Sequence, residues 1–329
     1  MDDTANPHTP SPEDQFPGQG ETKNSSGLQY KQHPLYYFND ANLFLKARNS
    51  SFIYGVYKGL MEKFSATFEA CFTLPQPAGI EEGSIFEKPI LLPVDAAPLD
   101  ALCSFIFHLG WKPHNHRTTD ELLALGKISQ LLQCPDALKF TIQALKFRTF
   151  DFNKARKLFY AFKFGVPNWG YSATAEILTS VNGVGSITGG FTIDMEIHKL
   201  LLEGESNLAL QIQLLAREMP NLNNNATWSQ CPQRDWCMKT LIRDWETVCP
   251  AIAQTRGGIR QVKILVKEKV ENDHSFALMR RECREVLCER VSQVIENIET
   301  FVNRAAGERV KARIKRDYPS AHDDEGWAI

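Results

Sequence analysis

The stretch Phe52 to Phe72, FIYGVYKGLMEKFSATFEACF, decides the fold of this chain, because its apolar residues change period halfway along. Its first part alternates as a short strand does, with Phe52 and Tyr54 on one side and Ile53 on the other. Farther on, large apolar residues recur at every fourth position, at Leu60, Phe64, Phe68 and Phe72. This spacing puts them on one helical face, so the sequence predicts a strand that runs directly into a helix without a loop.

A second strand is predicted immediately before this stretch. Asp40 to Arg48 alternates apolar and polar side chains, and Asn49 to Ser51 supplies a turn, which together predict a hairpin. The short apolar run at Ile90 to Leu92 is bounded by prolines and predicts a brief edge strand.

Helices are predicted after the edge strand. One covers Pro98 to Trp111, another begins at the capping-box pair Thr118 and Glu121, and a third begins at Pro135. The apolar stripe of the second of these helices comprises Leu122, Leu125, Ile128, Leu131 and Leu132. The predicted fold class is therefore α+β, with a small sheet and packed helices followed by a mainly α-helical extension.

The opening stretch resembles the first strand-to-helix signature of BTB/POZ domains, whose usual text is close to F-x-V-H-K-x-x-L-x-x-x-S-x-x-F-x-x-x-F. The positions that match it, or hold another ring in place of its first Phe and its His, are Tyr54, Val56, Tyr57, Lys58, Met61, Ser65, Phe68 and Phe72. An Asp such as Asp40 introduces the first strand in that family. The resemblance therefore implies a fold signature that consists of Asp40, Val56, Tyr57, Lys58, Ser65, Phe68 and Phe72.

The resemblance covers roughly Asp40 to Lys146, and the later text KLFYAFKFGVPNW is similar to the segment after the domain in the fungal branch of the superfamily. It implies a non-catalytic protein–protein interaction protein, which assembles as a homodimer or as an adaptor that brings substrates to a cullin-type ubiquitin ligase. Expected partners are thus proteins, a cullin or a second copy among them. Pro34 and the polar residues before it argue against a dimer that exchanges a helix preceding the first strand.

Composition divides the chain into five segments. They are a disordered tail at 1–32, a BTB/POZ-like domain at 33–149, a helical extension at 150–220, a C-terminal helical region at 221–316 and an acidic tail at 317–329. Two helices are expected at Asp194 to Leu202 and Ser206 to Ala216, and an Asn-rich linker at Asn221 to Ser229. A final helix is expected from Asp273 to about Arg316, with an apolar stripe that includes Phe301 and Ala305.

Bulk properties narrow the class of partner. The 329 residues carry a formal charge of −2, which argues against a general nucleic-acid or membrane-surface binder. No apolar run is long enough for a transmembrane helix, and no secretory signal is visible, so no membrane partner is expected. Eight scattered cysteines then predict reduced thiols and an intracellular location, in cytoplasm or nucleus.

No catalytic, cofactor-binding or metal-binding residue is predicted. Two candidate ligand sets are His114 and His116 with Cys134, and Cys231 and Cys237 with Cys249, but Cys231 and Cys237 are separated by five residues with no second pair. Cys283 and Cys288 are five apart on a predicted helix, which places them about 140° apart around its axis. The alternative function is an uncharacterised hydrolase or metal-dependent enzyme with its site among these scattered Cys and His residues.

Two further patterns have structural interpretations that compete with functional ones. The glycine-rich run at 182–190 is similar to a phosphate-binding loop but lacks the Gly-Lys-Ser/Thr ending, which favours a surface turn. The last helix has a basic end, which would serve nuclear import, contact an acidic partner or simply form a solvated face that complements the helix C-terminus. Its residues are Arg304, Arg309, Lys311, Arg313, Lys315 and Arg316.

Overall fold

The structure is a computed structural model that divides into two compact units, Met1–Arg148 and Thr149–Ile329. It describes residues 22–23, 29–74, 82–108, 117–148, 152–180, 182–187, 193–255, 259–272 and 276–318. The sequence placed a domain boundary after residue 149, next to this division. The fold is mixed, with a small sheet in the first unit and helices in both, which agrees with the predicted α+β class.

The sheet lies in the first unit. Its strands are β1 (Thr22–Lys23), β2 (Gln29–Tyr37), β3 (Leu43–Ala47), β4 (Phe52–Val56) and β5 (Ile90–Leu92). They are ordered β1-β2-β4-β3-β5. The predicted hairpin is present, since β3 and β4 pair antiparallel with Leu43 opposite Val56. β5 pairs parallel with β3 at the edge, as the prolines around it predicted.

The predicted disordered tail ends too late, because β2 begins at Gln29 and pairs parallel with β4, with Lys31 opposite Phe52. The composition of residues 1–32 is polar enough to predict disorder. A prediction from composition cannot take account of hydrogen bonds that the segment forms with a strand elsewhere in the chain. Two aromatic contacts add to this pairing: the Tyr30 ring lies under the Lys46 ammonium, and His33 stacks on Tyr54. The disorder prediction is therefore wrong for residues 22–23, which form β1 and pair with β2, and for residues 29–32, while the rest of the predicted tail lies outside the described residues.

The strand-to-helix junction is as short as predicted, since Tyr57 alone separates β4 from α1 (Lys58–Phe64). The predicted single helix is nevertheless broken at Ser65, whose extended backbone (φ −134°, ψ 113°) separates α1 from α2 (Ala66–Thr73). Ser65 caps α2, because its hydroxyl accepts a hydrogen bond from the Phe68 amide. The apolar ladder survives the break and faces one core on both sides of it.

Three more helices complete the first unit: α3 (Ala96–His108), α4 (Thr119–Leu131) and α5 (Pro135–Lys146). The capping box of α4 forms as predicted, with reciprocal bonds between Thr118 and Glu121. Four of the five residues predicted for its stripe are buried, but Leu131 is 46% exposed. Leu131 is the last residue of the helix. At that point the side of the helix on which the predicted stripe lies no longer contacts the core.

The second unit is helical. Its elements are α6 (Lys154–Phe164), α7 (Pro167–Leu178), a 3-10 helix (Gly183–Ile187), α8 (Met195–Arg217), α9 (Ala226–Ser229), α10 (Arg234–Ala253), α11 (Ile259–Asn272) and α12 (Arg281–Asp317). Asn153 caps α6 and Gly165 ends it in the left-handed region (φ +65°), as its sequence predicts. The sequence did not predict α10 or α11 as separate elements.

Two predicted boundaries in this unit are wrong. The helices expected at Asp194 to Leu202 and Ser206 to Ala216 are one continuous helix, α8, because Gly204 lies inside it against Leu178 and Ala306 instead of interrupting it. The expected linker at Asn221 to Ser229 contains α9, whose Trp228 is completely buried. Burial of this one large aromatic side chain holds the segment in the core, although the residues around it are polar.

The final helix, α12, begins at Arg281, later than the predicted Asp273, and Arg280 precedes it without a side-chain cap. Its stripe starts as predicted at Cys283, Leu287 and Val291 and then drifts around the helix. Phe301 is 70% exposed and Ala305 is also exposed, whereas Val302, Ala306, Val310 and Ile314 are buried. A 3.6-residue turn moves the buried face steadily over 37 residues, so a fixed three-or-four step loses register.

Candidate interaction site

The fold-signature residues of the first unit hold the strand-to-helix junction in place. The Tyr57 hydroxyl donates to the Asp40 carboxylate at 2.8 Å, and the Lys58 amide donates to the Asn42 side chain at 2.7 Å. Val56 is buried in β4. Both hydrogen bonds tie the start of α1 to the turn that precedes β3, so the junction angle is fixed from two sides.

The remaining signature residues hold α2. Ser65 is buried, and its hydroxyl donates to the Leu132 carbonyl at 2.5 Å at the end of α4. Phe68 is buried and stacks on Phe72 with ring centroids 5.5 Å apart, while the Lys58 ammonium lies 4.5 Å from the Phe72 centroid. The signature therefore has a structural role throughout: every one of these side chains faces another element of the same unit.

A polar cluster that sequence reasoning missed lies between β2, β4 and α3. His33 accepts hydrogen bonds at Nδ1 from the Leu35 and Tyr36 amides, so Nε2 carries the proton and faces Asp100 at 3.1 Å. The Tyr54 hydroxyl donates to the same carboxylate at 2.7 Å. Burial and this bond to Asp100 raise the pKa of Tyr54.

Large apolar side chains are exposed around the sheet of the first unit. Leu91 on edge strand β5 is 58% exposed and Leu35 on β2 is 70% exposed. Leu74, at the end of α2, is 62% exposed. Single exposed leucines are ordinary, but Leu91 stands on a short strand whose outer edge pairs with no other described strand.

The basic end of α12 is paired more than its sequence suggests. Arg309 contacts Glu203 at 3.1 Å, and both Arg313 and Arg316 contact Glu196. These carboxylates belong to α8, so part of the basic segment joins two helices of the second unit. The solvated-face interpretation therefore needs this correction, since three of the six basic residues form interhelical ion pairs.

The glycine-rich run is described only in part, because residues 181 and 188–190 lie outside the described chain. Its first half forms the 3-10 helix, where Gly183 has a left-handed backbone (φ +49°) and borders the Glu205 carboxylate. A carboxylate there would repel a phosphate group, which argues against the phosphate-binding interpretation. The surface-turn interpretation is wrong for the described part of the run, since Gly183, Val184 and Ile187 are buried.

The structure brings together cysteines from two of the candidate metal-ligand sets. Cys231, Cys237 and Cys283 have their sulfur atoms within 4.8 Å of one another, with Cys283 donating to Cys231 at 3.3 Å. Cys249 is elsewhere and donates to the Ala216 carbonyl, and Cys134 contacts the Leu132 carbonyl in the first unit. His114 and His116 lie outside the described residues.

Cysteine spacing could not reveal this cluster, because Cys283 lies on α12, far along the chain from Cys231. Partial burial favours the neutral thiol of Cys231, but hydrogen bonds from Cys283, the Gln233 backbone and Cys237, together with nearby Arg280, lower its pKa. Burial, followed by hydrogen bonding to Cys231 and Cys237, raises the pKa of Cys283. The cluster thus contains one accessible, more acidic thiol beside a less acidic donor.

None of the helices in the described ranges combines the length and apolarity that a membrane crossing requires. Comparison with protein-family models, curated proteins and solved structures found no match to this chain.

Proposed function

We propose that this chain is a non-catalytic protein–protein interaction and assembly protein of the BTB/POZ type, located inside the cell in the cytoplasm or nucleus. The observation that carries the proposal is the junction of β4 and α1, with the hydrogen bonds of Tyr57 and Ser65 that hold it. The resemblance implies a hairpin that runs straight into a helix, and this arrangement supports it.

The order of elements around the junction also supports the proposal. The hairpin of β3 and β4 leads to α1 and α2, then to the short edge strand β5, to α3 and to the helical pair α4 and α5. The resemblance implies this order over Asp40 to Lys146. The departure at Tyr57, where the family has His, is compensated locally, because the Tyr57 hydroxyl finds an acceptor in Asp40.

The assembly is either with a second copy or with a cullin-type ubiquitin ligase, for which the chain would act as an adaptor. Both need an exposed surface on the first unit. Leu91 supplies an apolar side chain on an open strand edge, where a partner could add backbone hydrogen bonds as well as apolar contact.

The alternative function is a hydrolase or metal-dependent enzyme, and a cysteine hydrolase needs a nucleophile beside a base. Among the described residues, the cysteine cluster is joined by no histidine or carboxylate that shares its centre. In that part of the chain the cluster therefore gives Cys231 no general base, so it does not support a cysteine hydrolase at this place.

The test is sedimentation of the purified full chain, alone and with a purified cullin N-terminal region. We expect a dimer or a cullin complex for the wild-type chain. Leu91→Arg is expected to weaken assembly at least about tenfold, as loss of an apolar contact at an interface does. Ile264→Arg is the matched control, because Ile264 is 57% exposed on α11 of the second unit and should leave assembly unchanged.

Two results would contradict the proposal. One is a monomer that binds no cullin at any concentration up to about 100 μM, a range that includes weak transient complexes. The other is assembly that Ile264→Arg weakens while Leu91→Arg does not, which would move the interaction surface to the second unit.

A further inference from the structure

The cysteine cluster of the second unit has the dimensions of a metal site. The sulfur atoms of Cys231 and Cys283 are 3.3 Å apart, those of Cys231 and Cys237 are 4.0 Å apart, and all three lie within 4.8 Å of one another. Tetrahedral thiolate coordination with Zn–S bonds of about 2.3 Å places neighbouring sulfurs about 3.8 Å apart. Small side-chain shifts would make the three distances equal to that value.

We propose that Cys231, Cys237 and Cys283 bind one Zn²⁺ ion through their three sulfur atoms, with the fourth coordination position open to solvent beside Cys231. Thiolates are ligands for soft and borderline metal ions, of which zinc is one. This site is separate from the interaction surface proposed for the first unit and does not depend on it.

The local backbone favours three thiolates at this place. Cys237 lies in the first turn of α10 and Cys283 in the first turn of α12, where the partial positive charge of a helix N-terminus stabilises an anion. Cys231 lies on the turn that leads into α10, where the Arg234 amide bonds to its carbonyl. Two helix starts and one turn therefore converge on a single point.

The charge balance favours Zn²⁺ over Cu⁺, the other ion that thiolates prefer. Three thiolates leave a net charge of −1 around Zn²⁺ but −2 around Cu⁺. Cys237 and Cys283 are buried in an apolar cluster, where an uncompensated charge is costly. Arg280 is a cation acting on Cys231, and it also contacts Glu282 at 3.4 Å, so its positive charge is shared with that carboxylate.

Access to the site is from one side. Cys237 and Cys283 are buried, whereas Cys231 is partly exposed at an open depression lined by residues 231–236. Three protein ligands with an open fourth position differ from the closed four-ligand sites that serve purely structural roles. Water, or a donor group from a bound molecule, would complete the coordination from this depression.

The first experiment is titration of the full chain, reduced and stripped of metal, with Co²⁺ as a spectroscopic substitute and then with Zn²⁺. We expect a thiolate-to-cobalt charge-transfer band that saturates at one equivalent and disappears when Zn²⁺ displaces Co²⁺. Loss of an outer-shell partner already lowers metal affinity 10–100-fold, so Cys231→Ser is expected to lower it at least about 100-fold. Cys288→Ser is the matched control, since Cys288 lies on α12, as Cys283 does, but outside the cluster.

The second experiment uses only the wild-type chain, so it does not depend on a variant that folds. Thiol alkylation followed by mass spectrometry should label Cys231 without metal, because it is partly exposed whereas Cys237 and Cys283 are buried. One equivalent of Zn²⁺ should protect Cys231 by at least tenfold. Exposed Cys71 should be labelled equally in both samples.

Three outcomes would overturn the proposal. They are labelling of Cys231 that Zn²⁺ leaves unchanged, a cobalt band that persists in Cys231→Ser, and a disulfide between Cys231 and Cys283 in protein purified without added reductant. Binding of Cu⁺ at one equivalent in place of Zn²⁺ would overturn the assignment to zinc.

Discussion

In the first unit the chain changes direction at single polar side chains, whereas in the second unit long helices pack through extended apolar stripes. Ser65 alone separates α1 from α2, and Tyr57 alone separates β4 from α1. In the second unit the core is largely aliphatic, and α12 packs along both α7 and α8 over much of its length. The comparison teaches that a few neighbouring residues are enough to identify a bend. Which face of a long helix is buried, by contrast, depends on apolar residues along its whole length.

The largest expected effect tests whether burial of a single aromatic residue stabilises a polar segment of the second unit. Trp228→Ala should lower the free energy of unfolding by about 3–5 kcal/mol, because it empties a completely buried site. Trp236→Ala, at a residue 55% exposed, should change it by less than about 0.5 kcal/mol. Urea unfolding followed by circular dichroism measures both, and equal effects would mean that Asn221 to Ser229 is the linker that its composition suggests.

The next prediction tests close packing along α12. A side chain at Gly307 would lie 2.7 Å from the Tyr171 ring of α7, so Gly307→Ala should destabilise the second unit by about 1–3 kcal/mol. Gly59 lies in α1 with open space around it, and Gly59→Ala should be neutral or stabilise the chain by up to about 1 kcal/mol. Thermal unfolding of the two variants should thus shift in opposite directions or differ clearly in size.

The third prediction concerns the bend of the first unit. Ser65→Ala removes the cap of α2 and leaves the Leu132 carbonyl without the Ser65 hydroxyl, which should cost about 1–3 kcal/mol. Thr73→Ala is the control, because the exposed Thr73 hydroxyl bonds only within its own helix turn. A loss for Thr73→Ala as large as that for Ser65→Ala would show that the bend does not depend on its serine.

The smallest effect is a pH dependence in the first unit. Burial raises the pKa of Cys134 from 9.0 to about 11, partly offset by a hydrogen bond with Ser65. The unfolded chain therefore releases this proton first, so the contribution of Cys134 is complete below pH 9.0 and is lost as pH rises through about 11.

Comparison of the wild-type chain with Cys134→Ala isolates that contribution. The difference in their free energies of unfolding should change by about 1.4 kcal/mol for each unit by which the folded pKa exceeds the unfolded one. Denaturant titrations at a series of pH values measure the difference. A difference that is constant across the interval would show that Cys134 has the same pKa in the folded and unfolded chain.

Much of the first unit follows from local sequence. The hairpin, the junction at Tyr57, the capping box at Thr118 and the proline start of α5 are each encoded within a few residues, so periodicity and capping rules identify them. The break at Ser65 was missed because the apolar spacing continues across it. β2 was missed because its pairing with β4 depends on residues distant in the sequence.

The cysteine cluster shows the same limit more strongly. Cys231 and Cys237 are near in sequence, but Cys283 joins them only because α12 starts beside the start of α10. No spacing rule relates ligands on separate helices whose relative placement is set by a shared apolar core. Phe301 is exposed for a similar reason. The buried face of α12 rotates around the helix along its length, so a stripe extended from its first buried residues no longer faces the core at Phe301.

The strand order has a consequence for how the first unit is synthesised. β2 leaves the ribosome before β3 and β4, yet its partner in the sheet is β4, which is inserted between β2 and β3. Apart from its short pairing with β1, β2 must therefore wait for a partner until the hairpin of β3 and β4 exists, and we expect it to gain protection only after that hairpin as the nascent chain lengthens.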